Sequence, residues 1–166
     1  MGVGDNDTME QTYISIMRQS LKRKLDVLNE IVKLDDRQRD QLTDEACTFD
    51  KFDQTVEDKS RLIEQMEQLD SGFEKLYARV AEELDQNREA YADDIRQMQE
   101  LIRTITDRSV MIQAQEARNK DLMMQKFGAV KKHARDVRAN SRAITGYYKT
   151  MDRTKYMDPQ FMETKQ

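Results

Sequence analysis

Between residues 91 and 126 the chain keeps one beat, stepping alternately by four and three, while the residues on that beat change character. The positions are Tyr91, Ile95, Met98, Ile102, Ile105, Ser109, Ile112, Glu116, Asn119, Met123 and Lys126. An apolar residue recurring every 3.5 positions is the seam of a coiled coil, because that period keeps one face of a helix on a partner. Such a segment has to be helical, and it has to be covered. From Glu116 the beat turns polar, yet nothing in the following turns breaks a helix. The expectation is a helix that packs inside a bundle at one end and overhangs it at the other.

Two more segments carry helical stripes. The first runs from about Thr8 to Ala46 and carries Ile14, Met17, Leu21, Leu25, Leu28, Val32 and Leu42. Thr8 with Gln11 fits a capping box, which places residues 1–7 in a flexible tail. Asp35 to Gln41 is wholly polar and is expected to form a kink or a solvated turn. The second stripe is Phe49, Phe52, Val56, Ile63, Met66, Leu69, Phe73, Leu76, Val80 and Leu84, with Lys59 on one seam position. Gly72 interrupts it, at a cost of about 1 kcal/mol relative to Ala, and suggests a close approach by a neighbouring helix.

Breaks fall near Cys47–Asp50, with Thr48 or Asp50 as N-cap, and near Asp85–Glu89, with Asn87 as the next N-cap. The second break contains neither Gly nor Pro. It follows from length: one helix from Phe49 to Lys126 would be a rod about 115 Å long with exposed stripes. Folding at Gln86–Asn87 buries those stripes. The reading is therefore all-α: an elongated antiparallel three-helix bundle, or coiled coil, over residues 8–127. Its core is expected to pair Ile95, Ile102, Ile105 and Ile112 with Phe73, Met66 and Ile63.

Residues 128–166 form the overhanging segment. It contains a weaker stripe of Val130, Ala134, Val137, Ile144, Tyr147, Tyr148 and Met151, and Asp158-Pro159 excludes a continuing helix beyond it. Charge divides in the same sense. Residues 1–100 hold 14 Lys and Arg against 25 Asp and Glu, and residues 101–166 hold 14 against 7. A basic segment thus follows an acidic body, which suits an acidic or amphipathic protein partner better than nucleic acid. Of eleven methionines, Met98, Met111, Met123, Met124, Met151, Met157 and Met162 lie in the second part of the chain. Met98 and Met123 read as core. Met124 and Met151 read as a deformable binding surface.

Catalytic chemistry finds no constellation. His133 is the one histidine of the chain, so a di-iron Glu-x-x-His set has no second member. No Gly-rich phosphate loop or zinc spacing occurs, and the carboxylates read as solvated surface. The expectation is a binding protein rather than an enzyme, with no metal and no cofactor. No stretch reaches the roughly 18 apolar residues of a membrane span. The N-terminus lacks a signal-peptide pattern. The lone Cys47, read as a small buried hydrophobe, suits a reducing cytosol.

Three segments carry a resemblance. Ile105-Thr106-Asp107-Arg108-Ser109-Val110-Met111-Ile112-Gln113-Ala114-Gln115-Glu116-Ala117-Arg118-Asn119-Lys120 resembles the third helix of FlgN-type flagellar export chaperones. Leu62-Ile63-Glu64-Gln65-Met66-Glu67-Gln68-Leu69-Asp70 is similar to their second helix. Tyr147-Tyr148 with Asp158-Pro159-Gln160-Phe161-Met162 resembles their tail. The resemblance implies a cytoplasmic helical chaperone. It would hold hook–filament junction proteins before secretion and hand them to the flagellar export apparatus. It places client binding in the C-terminal part, here roughly Phe127–Met162, and within that region the stripe and tail offer Val137, Ile144, Tyr147, Tyr148, Met151, Phe161 and Met162 as the contact residues. A structural coiled-coil adaptor is the alternative, followed by a nucleic-acid-binding helical protein.

Overall fold

The computed structural model describes the backbone of residues 3–128 and the side chains of residues 9–127. Three helices fill that span: α1 (Val3–Thr43), α2 (Phe49–Gln86) and α3 (Ala92–Gly128). Among the described residues there is no strand. α1 pairs with α2 and α3 along its length, whereas the α2 and α3 backbones seldom approach each other. Tyr13 meets Arg79, Lys24 meets Asp70 and Gln38 meets Thr55, so α2 runs antiparallel to α1. Arg18 meets Asp94 and Lys126 meets the carbonyl of Gln41, so α3 runs parallel to α1. The architecture is the expected up-down-up three-helix bundle, with α1 in the middle.

The turns differ from expectation in detail. α1 starts at Val3, five positions ahead of Thr8, so the Thr8 capping box does not begin the helix. Thr48 is the N-cap of α2 in extended conformation, but its side chain makes no capping bond. Asp50 sits in the first turn of α2, where negative charge meets the positive helix end. Asn87 was expected to start α3 and instead closes α2. Its backbone N–H donates to the Glu83 carbonyl at 3.0 Å, and its side-chain amide donates to the Glu83 carboxylate at 2.7 Å. α3 begins only after the turn through Tyr91, whose buried ring anchors that turn in the core.

The main core follows the three stripes. Ile14, Met17, Leu21, Leu28 and Ile31 of α1 pack with Ile63, Met66, Phe73, Val80 and Leu84 of α2 and with Met98, Ile102, Ile105 and Ile112 of α3. The expected grouping of Ile102, Ile105 and Ile112 with Phe73, Met66 and Ile63 is present, and Ile95 packs half-buried at its edge. A second, smaller core lies at the α1–α2 turn. It joins Leu42, Phe52, Val56 and Met123, with Phe49, Leu122 and Phe127 against them. Phe127 meets Phe49 edge-on at 5.4 Å between ring centroids and Phe52 at 5.7 Å. Cys47, expected to be buried, is half-exposed in the turn.

This second core corrects where α3 was expected to leave the bundle; the overhang expected over residues 128–166 lies outside the described residues apart from Gly128. α3 does not leave the bundle at Glu116: Glu116, Asn119 and Met123 are all buried. Nor is Asp35–Gln41 a kink or a solvated turn. It is continuous helix, and its Asp35 and Gln38 point inward. Gly72 also lacks the expected neighbour, since a Cβ built there meets nothing within 4 Å and its backbone is ordinary helix.

These placements set measurable stabilities. Ile112 is fully buried, so Ile112→Ala should cost about 2–5 kcal/mol in urea unfolding. Met124 is 58% exposed, and Met124→Ala should cost under about 0.5 kcal/mol. Gly72→Ala should stabilise by about 0.5–1 kcal/mol, because it removes unfolded-state freedom without a steric penalty. A destabilised Gly72→Ala protein would mean that α2 is closely packed at that point.

Candidate functional site

Between the two apolar cores lies a layer of polar side chains, contributed by all three helices. The seam that carries Leu28 and Ile31 on α1 continues through Asp35, Gln38 and Leu42. That of α2 brings in Thr55 and Lys59 between Phe52 and Ile63, and that of α3 brings in Glu116 and Asn119 between Ile112 and Met123. All six polar residues are buried. The Lys59 ammonium, 2% exposed, donates to Asp35 Oδ1 at 2.8 Å and to the Glu116 carboxylate. Asn119 donates its amide to the Asp35 backbone carbonyl at 3.0 Å and accepts from the Gln115 amide at 2.8 Å. Gln38 donates to the Thr55 hydroxyl at 3.0 Å.

The layer carries two carboxyl groups and one ammonium. With both carboxyls ionised it would hold an uncompensated negative charge out of water, which is costly in a low-dielectric interior. Burial accordingly pushes the Asp35 carboxyl up to about 8; a hydrogen bond shared with Glu116 acts the same way, and the positive Lys59 opposes it. At neutral pH the carboxyl pair therefore retains a proton, and one carboxylate faces one ammonium. A second buried pair, Lys24 with Asp70 at 2.7 Å, lies three turns away along α1. Burial raises the Asp70 carboxyl too, against the pull of Lys24. The expectation that every carboxylate is solvated surface fails at Asp35, Asp70 and Glu116.

The second half of α3 carries exposed apolar side chains. Val110 is 60% exposed, Met111 52% and Met124 58%, all on α3. Met111 and Ala114 border a groove of about 380 Å³ against Val32 and Asp36 of α1, with Asp35 in its wall and Arg118 at its edge. Met98 and Met123 are core, as expected, while Met124 is surface. The expected client-binding residues Val137, Ile144, Tyr147, Tyr148, Met151, Phe161 and Met162 lie outside the described residues, as does His133. Among the described residues no cluster of His, Cys, Asp and Glu could hold a metal ion, and no helix is long and apolar enough to cross a membrane.

Fold and polar layer together define a class: an all-α three-helix bundle pinned by a buried ionic layer. Set against protein-family models, curated proteins and solved structures, the chain has no significant match to any of them.

Sequence reading missed the ionic layer as a unit. The signal was present in the register. Asp35 and Lys59 lie equally far from Cys47 in the first turn, as do Lys24 and Asp70. Lys59 and Glu116 lie equally far from the turn at Asn87–Arg88. Folding the chain at its two turns superposes the charges.

Two outcomes follow. Lys59→Met should cost about 3–5 kcal/mol by stranding two buried carboxyls, while Lys59→Met with Asp35→Leu and Glu116→Leu should recover most of that loss. A harmless single substitution in urea unfolding would show that Lys59 is not buried between its partners. The pH dependence has an unusual sign. Asp35 binds its proton more tightly folded than unfolded, so its contribution is complete below about pH 4 and is lost as pH rises towards about 8. Stability measured from pH 6 to 8 should therefore fall, by at most about 1.4 kcal/mol per pH unit. Asp35→Asn should flatten this slope.

Proposed function

We propose that this chain is a cytoplasmic export chaperone of the flagellar type, a non-enzymatic binding protein for hook–filament junction proteins. The bundle serves as a rigid acidic body. The C-terminal segment, residues 128–166, captures an amphipathic helix of the client and presents it to the export apparatus. The observation that carries the reading is the surface character of α3 as it approaches Gly128. Val110, Met111 and Met124 stand exposed on a helix whose inner face is fully used, and the chain then continues into a basic stretch containing Tyr147 and Tyr148. Methionine surfaces adapt to helical partners of varied sequence. Paired tyrosines offer large contact area at low entropic cost. The resemblance of residues 105–120 to the third helix of such chaperones supplies the client class.

A chain ending at Gly128 should keep its urea midpoint, because both cores lie within residues 9–127. It should lose capture of a hook–filament junction protein in a pull-down with the purified client. Tyr147→Ala with Tyr148→Ala in the full chain should weaken capture at least about tenfold, or 1.4 kcal/mol. Full-strength capture by the shortened chain would move the client surface onto the bundle. Failure of the full chain to bind any hook–filament junction protein would reject the function itself.

A further inference from the structure

The α3 end from Glu116 to Gly128 is attached differently from the rest of the helix. Upstream, α3 is held by Met98, Ile102, Ile105 and Ile112 in the main core. Beyond Glu116 its attachments include the polar layer, two bonds from the Lys126 ammonium to the carbonyls of Gln41 and Asp44, and the small core around Met123 and Phe127. The α1–α2 hairpin beneath it has its own connections. The turn at Asp44–Thr48 joins the two helices covalently, and Gln38–Thr55 and Gln41 to the Lys51 carbonyl bridge them. Removing the α3 end would leave the hairpin paired and would uncover Leu42, Phe49, Phe52 and Val56.

The link between the α3 end and the main bundle is the Lys59 layer. From α2, Lys59 faces Asp35. From α3, Glu116 and Asn119 face it, and Arg118 stands at the groove edge with Asp36 of α1. One ammonium serves two carboxyls on two different helices. If the carboxyls share a proton, α1 and α3 are drawn together. If that proton is lost, two like charges stand across the α1–α3 joint with the Lys59 ammonium between them.

We propose that Glu116–Gly128 is a proton-controlled latch: it closes over the aromatic cleft of the α1–α2 hairpin while Asp35 and Glu116 share a proton, and it opens as a unit when the pair loses it. Opening leaves the main core intact and exposes Leu42, Phe49, Phe52 and Val56 of the hairpin. The latch is independent of client identity and stands on one ammonium bridging carboxyls of two helices at the boundary between the two cores.

Amide hydrogen exchange on the full chain tests this, with rates normalised to the intrinsic rate at each pH. At pH 8.5 amides of 117–127 should exchange at least about tenfold faster than those of 98–112, through an opening that does not require global unfolding. Their protection should rise at least about tenfold at pH 5.5. Glu116→Gln leaves one carboxylate to one ammonium, and should hold the latch equally closed at both pH values. Asp35→Asn should do the same and serves where Glu116→Gln perturbs folding. Ordinary fraying of a helix end would give fast exchange that neither pH nor these substitutions change, and would overturn the proposal. Equal protection of 117–127 and 98–112 at pH 8.5 would overturn it as well. Should both variants unfold, the comparison of the two segments and two pH values in the wild-type chain decides the matter alone.

Discussion

One ammonium group fixes how three helices pair. Lys59 sits on α2, and its partners Asp35 and Glu116 sit on α1 and α3. Apolar seams of Leu, Ile and Met tolerate sliding by a heptad, because one large apolar side chain substitutes for another at similar depth. A buried charge does not tolerate it. Any slip of α2 against α1 or α3 would leave Lys59 against hydrocarbon, with several kcal/mol of unrepaid desolvation. The Lys24–Asp70 pair repeats the constraint on the α1–α2 interface at the same register. Replacement of such pairs by hydrocarbon need not lower stability, so their value here is assigned to register rather than to strength.

The ionic layer also divides the interior into unequal parts. The larger core spans most of the bundle and draws on all three helices. The smaller one is aromatic, sits at the α1–α2 turn, and receives only the last turns of α3. Cooperativity in a bundle depends on continuous apolar contact, so a polar layer is a natural boundary between units of different stability. The α3 terminus, which leads into residues 128–166, lies on the side of the smaller core.

The outer surface of the same region is informative in another way. Exposed single apolar residues are ordinary, but Val110 and Met111 are neighbours and border a groove with Val32 and Ala114. Across the described bundle, ionic contacts such as Arg18–Asp94 and Lys33–Glu30 dress the surface. The second half of α3 thus carries a polar layer between apolar core residues on its inner face and several apolar residues on its outer face. A helix of that kind fits a role in contact with another protein, in line with the proposed chaperone function.

The number of helices, their period, the positions of both turns to within a few residues, and most of the core are legible in the residue pattern. These are local properties: a 3.5-residue beat and the length of a rod that cannot stay unpaired. Ile102, Ile105 and Ile112 could be assigned inward because hydrocarbon has one favourable place to go. Tertiary structure alone decided the fate of Asp35, Lys59 and Glu116. Each is a charged residue that belongs in water when considered singly, and burial becomes tolerable only when the other two arrive from distant parts of the chain. The same reasoning explains why the polar beat after Ile112 reads as departure from the bundle when it is a joint within it. The exposed Val110 and Met111 were equally undecidable from periodicity, since the choice of outer face depends on where α1 lies. The residues expected to bind a client, Tyr147 and Tyr148 among them, are read from the sequence and lie outside the described residues.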